Sequence, residues 1–315
     1  MSGAPQRSTA HTRVVDAPAA AVYDLVATVS RWPAVFGPTV HVDLLEHDGT
    51  SERFRLWATL NGEVRNWTSR RTLDRDRLRI GFRQEHGRAP VLAMSGHWRF
   101  RPLDGGRTEV ELGHTFSAED EERLELVTAA VDHNSTAELA ALDRVAGQGH
   151  PVEQVVFSFT DEVALDGEPW AAYQFVARSD RWPHVLPHVR RVALAEHPDG
   201  VQDMEMDTVT VDGGVHRTRS VRLCLPPDRI VYKQLVPPAL LLGHSGSWTF
   251  RDGPGGPTAV ATHTVAVDVA AVPGVLGAGK TLSDARGYLR AALGANSRAT
   301  LGYAARAAAS TGSGS

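Results

Sequence analysis

Apolar and polar residues alternate through six stretches in the first half of the chain: His41–Glu46, Arg53–Thr59, Val64–Thr72, Leu78–Gln84, Leu92–Arg101 and Thr108–Phe116. A period of two is the mark of half-buried strands. The Asn61-Gly62, Asp-Arg and Gly105-Gly106 pairs between them supply turns. After Ser117-Ala118-Glu119-Asp120 the period changes, and from Leu124 to Val145 apolar residues recur at helical spacing. Ahead of the strands, Asp16 and Pro18 read as an N-cap and a first helical residue. They open a short helix through Tyr23, Leu25 and Val26 that Arg31-Trp32-Pro33 ends, because the residue before proline resists helical angles. The predicted class is α+β: a short helix, an antiparallel meander and a long helix. A curved sheet gripping such a helix encloses a cavity, the usual place for a small-molecule site.

The whole pattern occurs twice. Ala21, Tyr23, Val26, Ala27, Arg31, Trp32, Pro33 and Val35 return 150 positions later as Ala171, Tyr173, Val176, Ala177, Arg181, Trp182, Pro183 and Val185. The same offset carries Glu46-His47 to Glu196-His197 and Trp98-Arg99-Phe100-Arg101 to Trp248-Thr249-Phe250-Arg251. A slip of one takes Ser69 and Arg71 to Ser220 and Arg222, and Asn134-Ser135 returns as Asn296-Ser297. About twelve residues are therefore inserted before the last helix of the second copy. Duplication suits a length of 315 residues, which exceeds one small domain. The expected division is a disordered N-terminus over 1–9, a first domain over 10–147, a linker over 148–151, a second domain over 152–306 and a disordered tail over 307–315.

Composition narrows the function. A hydrophobic fraction of 42% can fill two cores, and no apolar run reaches the length of a membrane span. The first residues lack the apolar stretch of a signal peptide, and Cys224 is the single cysteine, which points to a reducing cytoplasm. A net charge of −4 without a basic block argues against nucleic acid. Lys233 and Lys280 are the only lysines, so carbon–carbon chemistry through a lysine imine has few candidates and an enolate is the natural alternative. No His-Glu-x-x-His or paired-cysteine spacing implies a metal, and no cofactor is expected.

The run Ser30-Arg31-Trp32-Pro33-Ala34-Val35-Phe36-Gly37-Pro38-Thr39-Val40, with Trp67-Thr68-Ser69-Arg70-Arg71 and Met94-Ser95-Gly96-His97-Trp98, resembles the aromatase/cyclases of bacterial type II polyketide synthases. The duplication points to their two-domain subgroup. The resemblance implies two tandem helix-grip (START-like) domains and a poly-β-ketone tethered to an acyl carrier protein, among other synthase components. It also implies first-ring aldol cyclisation with dehydration to an aromatic ring. By the same resemblance Arg71 is the pocket arginine, with Ser69 and Trp67 beside it. Met94, Trp98, Phe36 and Trp32 line the pocket, and Arg83 lies near its mouth. Thr39 stands where relatives often have tyrosine, and Arg65 replaces a pocket tryptophan.

Strand parity groups part of this set independently: Arg65, Trp67, Ser69 and Arg71 share one face of their strand. Methylenes between carbonyls are acidic enough that fixed positive charge and donors can stabilise their enolates. Arg71 is expected to hold the enolate or carbonyl oxygen, Ser69 a carbonyl or water, and His114 to shuttle a proton, with the aromatic walls curling the chain. Ser220 and Arg222 are the counterparts in the second copy, where His216, Thr218, Lys233 and His244 replace Arg65, Trp67, Arg83 and Met94.

Two other motifs are weighed and set aside. Gly274-Val275-Leu276-Gly277-Ala278-Gly279-Lys280-Thr281 fits a phosphate-loop pattern, but no alternating βα units surround it. A phosphate of a carrier's prosthetic arm could still sit at that helix start. Gly243-His244-Ser245-Gly246-Ser247 falls on a strand and lacks the second glycine of a nucleophile elbow. The remaining alternative to an enzyme is a non-catalytic module that carries a hydrophobic ligand or polyketide in the same cavity.

Overall fold

The computed structural model describes residues 4–60, 62–87, 89–209 and 214–312, the last three by backbone alone. Two compact units meet at Val155 and Val156. In the first, β1 (Gln6–Val15) leads to α1 (Ala19–Ala27), a 3-10 turn over Val29–Arg31 and the single turn α2 (Trp32–Val35). The meander follows as β2 (Thr39–His47), β3 (Ser51–Leu60), β4 (Glu63–Asp74), β5 (Arg79–Gln84), β6 (Val91–Pro102) and β7 (Thr108–Ala118). Then come α3 (Glu121–Ala146) and the short α4 (Val152–Val155). The seven strands make one antiparallel sheet ordered β1-β7-β6-β5-β4-β3-β2.

The second unit repeats this with β8 (Val156–Ala164), α5 (Pro169–Ala177), α6 (Trp182–Val185), β9 (Val189–Glu196), β10 (Val201–Val209), β11 (Val215–Leu225) and β12 (Arg229–Val236). It ends with β13 (Leu241–Gly253), β14 (Gly256–Val267), the short α7 (Val272–Leu276) and α8 (Leu282–Gly312). The sheet order is again that of the first unit, β8-β14-β13-β12-β11-β10-β9. Each unit is the expected α+β helix grip.

The grip follows from two periodicities meeting. Along α3 the buried Leu124, Val127, Val131, Ser135, Leu142 and Val145 form one stripe. Asp120 caps the helix by accepting from the Arg123 amide at 2.8 Å. The sheet's inner face carries Phe100, Trp98, Ile80, Val110, Leu112 and Phe116, all buried. Helix α3 packs on β1 and β7, which form one edge of the sheet.

Several expectations need correction. Residues 6–9 begin β1, paired with β7 from Gln6↔Ser117 to Val15↔Thr108, so they are not a disordered leader. The supposed tail is helical through Gly312, and Ala308 within it is completely buried. The residues 152–155, assigned to the second domain, form α4 in the first unit. Helix α1 ends at Ala27, where the Thr28 hydroxyl donates to Asp24 O at 2.8 Å. Trp32-Pro33 then opens α2, with proline in the first turn where its missing amide is not needed. Pro18, rather than Asp16, holds the N-cap position of α1. Met1–Gly3, Ser313–Ser315 and Asn61 of the Asn-Gly turn lie outside the described residues.

Candidate active site

A single cross-strand row organises the inner face of the first sheet: His114, Gly96, Phe82, Arg71 and Glu52 are directly opposed on β7, β6, β5, β4 and β3. Gly96 is required here, because a Cβ would stand 2.2 Å from Gly113 O and 2.4 Å from the Phe82 ring. The ring therefore lies over the glycine and meets His114 edge to face, with centroids 5.4 Å apart.

Arg71 points inward and is only 2% exposed, and each of its three nitrogens donates to the protein. Nε donates to Glu52 Oε2 at 2.5 Å, Nη1 to Val26 O at 3.0 Å and Nη2 to Ala27 O. The guanidinium also lies 5.5 Å from the Trp32 ring centroid and 5.6 Å from that of Phe54. Val26 and Ala27 end α1, so the cation meets carbonyls that no helical amide satisfies, at the negative end of the helix dipole. Burial pulls the Arg71 pKa down and Glu52 opposes that shift. Trp32 belongs to the same clamp, its Nε1 donating to Val26 O at 2.9 Å.

Ser69 is buried on the inner face beyond the clamp. Trp67, Phe82, Met94 and His114 keep partial exposure although they face the helix. Gln84, on the same face as Ser69, has its Oε1 buried without a partner. Across from them His114 Nδ1 lies 3.4 Å from Ser135 Oγ of α3. Desolvation, with His11 and His97 adding to it, lowers the His114 pKa to about 4, so this imidazole is neutral at pH 7.

One turn beyond Ser135 stands Glu138. It is partly exposed and lies on the stripe of Ser135 and Leu142. No cation or donor among the described residues pairs with it, and desolvation alone raises its carboxyl pKa to about 7. Buried unpaired carboxyls are costly and cluster where chemistry needs them.

The other expected residues scatter. Phe36 and Trp98 are buried and stacked at 6.3 Å, forming floor rather than wall. Thr39 is buried on β2. Arg65 shares the Trp67 face but lies at the exposed end of β4, paired to Glu63 at 2.5 Å. Arg83 is a correction: it is exposed and paired with Arg70 and Ser95 on the outer face, because Ile80 and Phe82 set the parity of β5 inward. Its neighbour Gln84 is the residue that shares the inner face with Ser69. Glu138 was missed as well, although an acid on the Leu124–Val145 stripe breaks the helical pattern visibly.

In the second copy the row reads His263, Gly246, Tyr232, Arg222 and Gln202. Arg222 donates to Val176 O at 2.6 Å and Ser179 Oγ at 2.7 Å and lies 5.5 Å from the Trp182 centroid, the same clamp without the carboxylate. Ser220 is buried beside it. Lys233 matches exposed Arg83 in sequence but is buried, and desolvation lowers its pKa to about 7. Grooves of about 170 and 290 Å³ open beside Glu52 and Gln202 at the hairpins of β3 and β10; neither is lined by the row's histidines or by Glu138.

The phosphate-loop string is exposed, in an all-antiparallel setting. Thr281 and Asp284 cap α8 reciprocally: the Asp284 carboxylate accepts from the Thr281 amide at 2.9 Å, and its amide donates to Thr281 Oγ1 at 3.3 Å. A carboxylate already occupies the place a phosphate would need.

A family model described as polyketide cyclase / dehydrase and lipid transport matches residues 15–123 and 166–287. The granaticin polyketide synthase bifunctional cyclase/dehydratase of Streptomyces violaceoruber is 52% identical over 301 residues, 95% of this chain and 93% of that protein. The actinorhodin counterpart of Streptomyces coelicolor is 53% identical over 319 residues, 98% of this chain and 99% of that one. Among solved structures, the two-domain aromatase/cyclase BexL of the BE-7585A pathway superposes with a TM-score of 0.83 at 46% identity, covering 96% of this chain and 98% of that one. StfQ of the steffimycin pathway gives 0.82 at 36% identity over 96% and 99% of the two chains.

Proposed function

The chain belongs to the polyketide cyclase/dehydrase family, in its two-domain aromatase/cyclase branch, and from that premise we propose how its residues work on a poly-β-ketone. The substrate enters tethered to an acyl carrier protein of a type II polyketide synthase and curls into the hollow of the first copy. Trp67, Phe82 and Met94 hold the folded chain near the geometry of attack. Glu138 takes a proton from a methylene flanked by carbonyls, and the enolate adds to a second carbonyl to close the first ring. Ser69 and Gln84 contact the oxygens, and His114, neutral and bonded towards Ser135, returns a proton to the new alkoxide. Loss of water then leads to the aromatic ring. Arg71 acts as a positioning residue: by holding the end of α1 on β4 it keeps the floor of Trp32, Phe36 and Trp98 in place.

The single observation that carries this reading is Glu138, an unpaired carboxyl with a pKa near 7 on the sheet-facing stripe of the gripping helix. A general base works best near the ambient pH. A module that only carried an apolar ligand would gain nothing from an unpaired acid in its cavity, since the charge costs binding. The test is reconstitution with a minimal polyketide synthase. Wild-type protein should redirect products towards the regiospecifically cyclised aromatic, whereas Glu138→Gln should lose that redirection about a hundredfold or more in rate. Unchanged products with wild-type protein would defeat the functional reading itself.

A further inference from the structure

We propose that the second copy holds its own acid–base site, centred on Tyr232, His244 and His263, which eliminates water from a β-hydroxy ketone. Four matched positions carry the contrast. Phe82, Met94, His114 and Ser135 of the first copy correspond to Tyr232, His244, His263 and Ser297. Two apolar residues have thus become proton carriers inside a core, where a merely structural copy would be expected to stay apolar.

The geometry is that of a relay. Tyr232 Oη lies 3.0 Å from His263 Nδ1, and His244 Nε2 lies 3.1 Å from the same nitrogen. His263 Nε2 meets Ser297 Oγ at 2.8 Å, which fixes the ring. Gly246 makes room, for a Cβ there would stand 2.5 Å from Tyr232 Oη. Tyr232 keeps partial exposure while His244 and His263 are buried. Gln234 Oε1, His216 Nε2 and Trp248 Nε1 are buried without partners, and all three residues share the inward face of their strands with this cluster. Those orphaned groups call for a polar guest. Glu138 has no equivalent here: Thr300 takes its place and bonds Asn296 O of its own helix at 3.1 Å.

The step balances within these residues. His244 Nε2 takes the proton α to the ketone, and the Tyr232 hydroxyl protonates the departing β-hydroxyl. One C–H and one C–O bond break, a carbon–carbon double bond forms and water leaves. His263 Nδ1, within reach of both, passes the proton from His244 back to Tyr232. The order of events follows: ring closure in the first copy supplies a β-hydroxy ketone, and the second copy consumes it. This assignment rests on the function proposed above.

The full-length chain bearing Tyr232→Phe with His244→Met, the residues of the first copy, tests it. The probe is a soluble cyclic β-hydroxy ketone, whose elimination is followed by enone absorbance. Wild-type protein should accelerate elimination over buffer, and the double variant, folded by circular dichroism, should lose about a hundredfold of that acceleration. Equal elimination by the folded double variant, or none above buffer by wild-type protein, would overturn the inference while leaving ring closure untouched. If the double variant fails to fold, Tyr232→Phe alone is to be read by the same assay with the same two outcomes.

Discussion

A guanidinium wedged between two rings, a carboxylate and the end of a helix is easier to keep than to lose. Removing one partner of a buried ion pair leaves the other uncompensated, at a cost of about 3–5 kcal/mol. Arg71→Ala should therefore lower the unfolding free energy measured in urea by that order, with any loss of activity following from the displaced α1. Unfolding indistinguishable from wild type would contradict the clamp. Arg71 was legible as an inward-facing residue of β4, because Trp67 and Ser69 share its parity. Its partners were not, since Val26 O and Ala27 O are backbone groups that no side-chain pattern announces. Parity applied equally to β5 would have exchanged Arg83 for Gln84. Glu138 was available as a break in an apolar stripe, but only burial shows that it stands unpaired.

Among the elements, the meander and both long helices were readable because alternation and helical spacing persist over whole segments, and only their ends moved. The first strand escaped notice: in Gln6–Val15 exposed and half-buried residues alternate without a strong apolar set, and it is a strand because β7 offers its edge. The C-terminal helix was cut short because Ala307–Ser315 looks like low-complexity chain, although alanine is the best helix former. There Gly167 approaches so closely that a Cβ would meet Ala308 O at 2.4 Å. Ending the chain at Arg306 should expose this contact and lower the melting temperature by several degrees, at about 2–4 °C per kcal/mol. A melting temperature that does not move would mean the last turns of α8 contribute nothing.

At the scale of the whole molecule, buried titrating groups set the pH range. His114, His244 and His263 are held at about 4, 3 and 4 instead of 6.5, so the unfolded chain binds protons more tightly. Their contribution to stability is complete above 6.5 and drains as pH falls towards 4. Glu138 works in the opposite sense, at about 7 instead of 4.5, so its contribution is complete below 4.5 and drains as pH rises towards 7, while buried Lys233, at about 7 instead of 10.5, contributes fully only above 10.5. Stability measured in urea should fall as pH drops from about 6.5 towards 4, and Glu138→Gln should steepen that fall by removing the carboxyl that opposes it. A slope unchanged in that variant would contradict the raised carboxyl.

Duplication has kept the row of glycine, ring and clamped arginine in both copies while changing the groups that move protons. The first copy offers a carboxyl and the second a phenol with two imidazoles. The most direct measurement is the pH dependence of ring formation at saturating carrier-bound substrate. Wild-type rates should rise through an inflection near pH 7 as Glu138 loses its proton, and Glu138→Gln should be slow and without that inflection. Retention of the same inflection in the variant would contradict the assignment of Glu138 as the base.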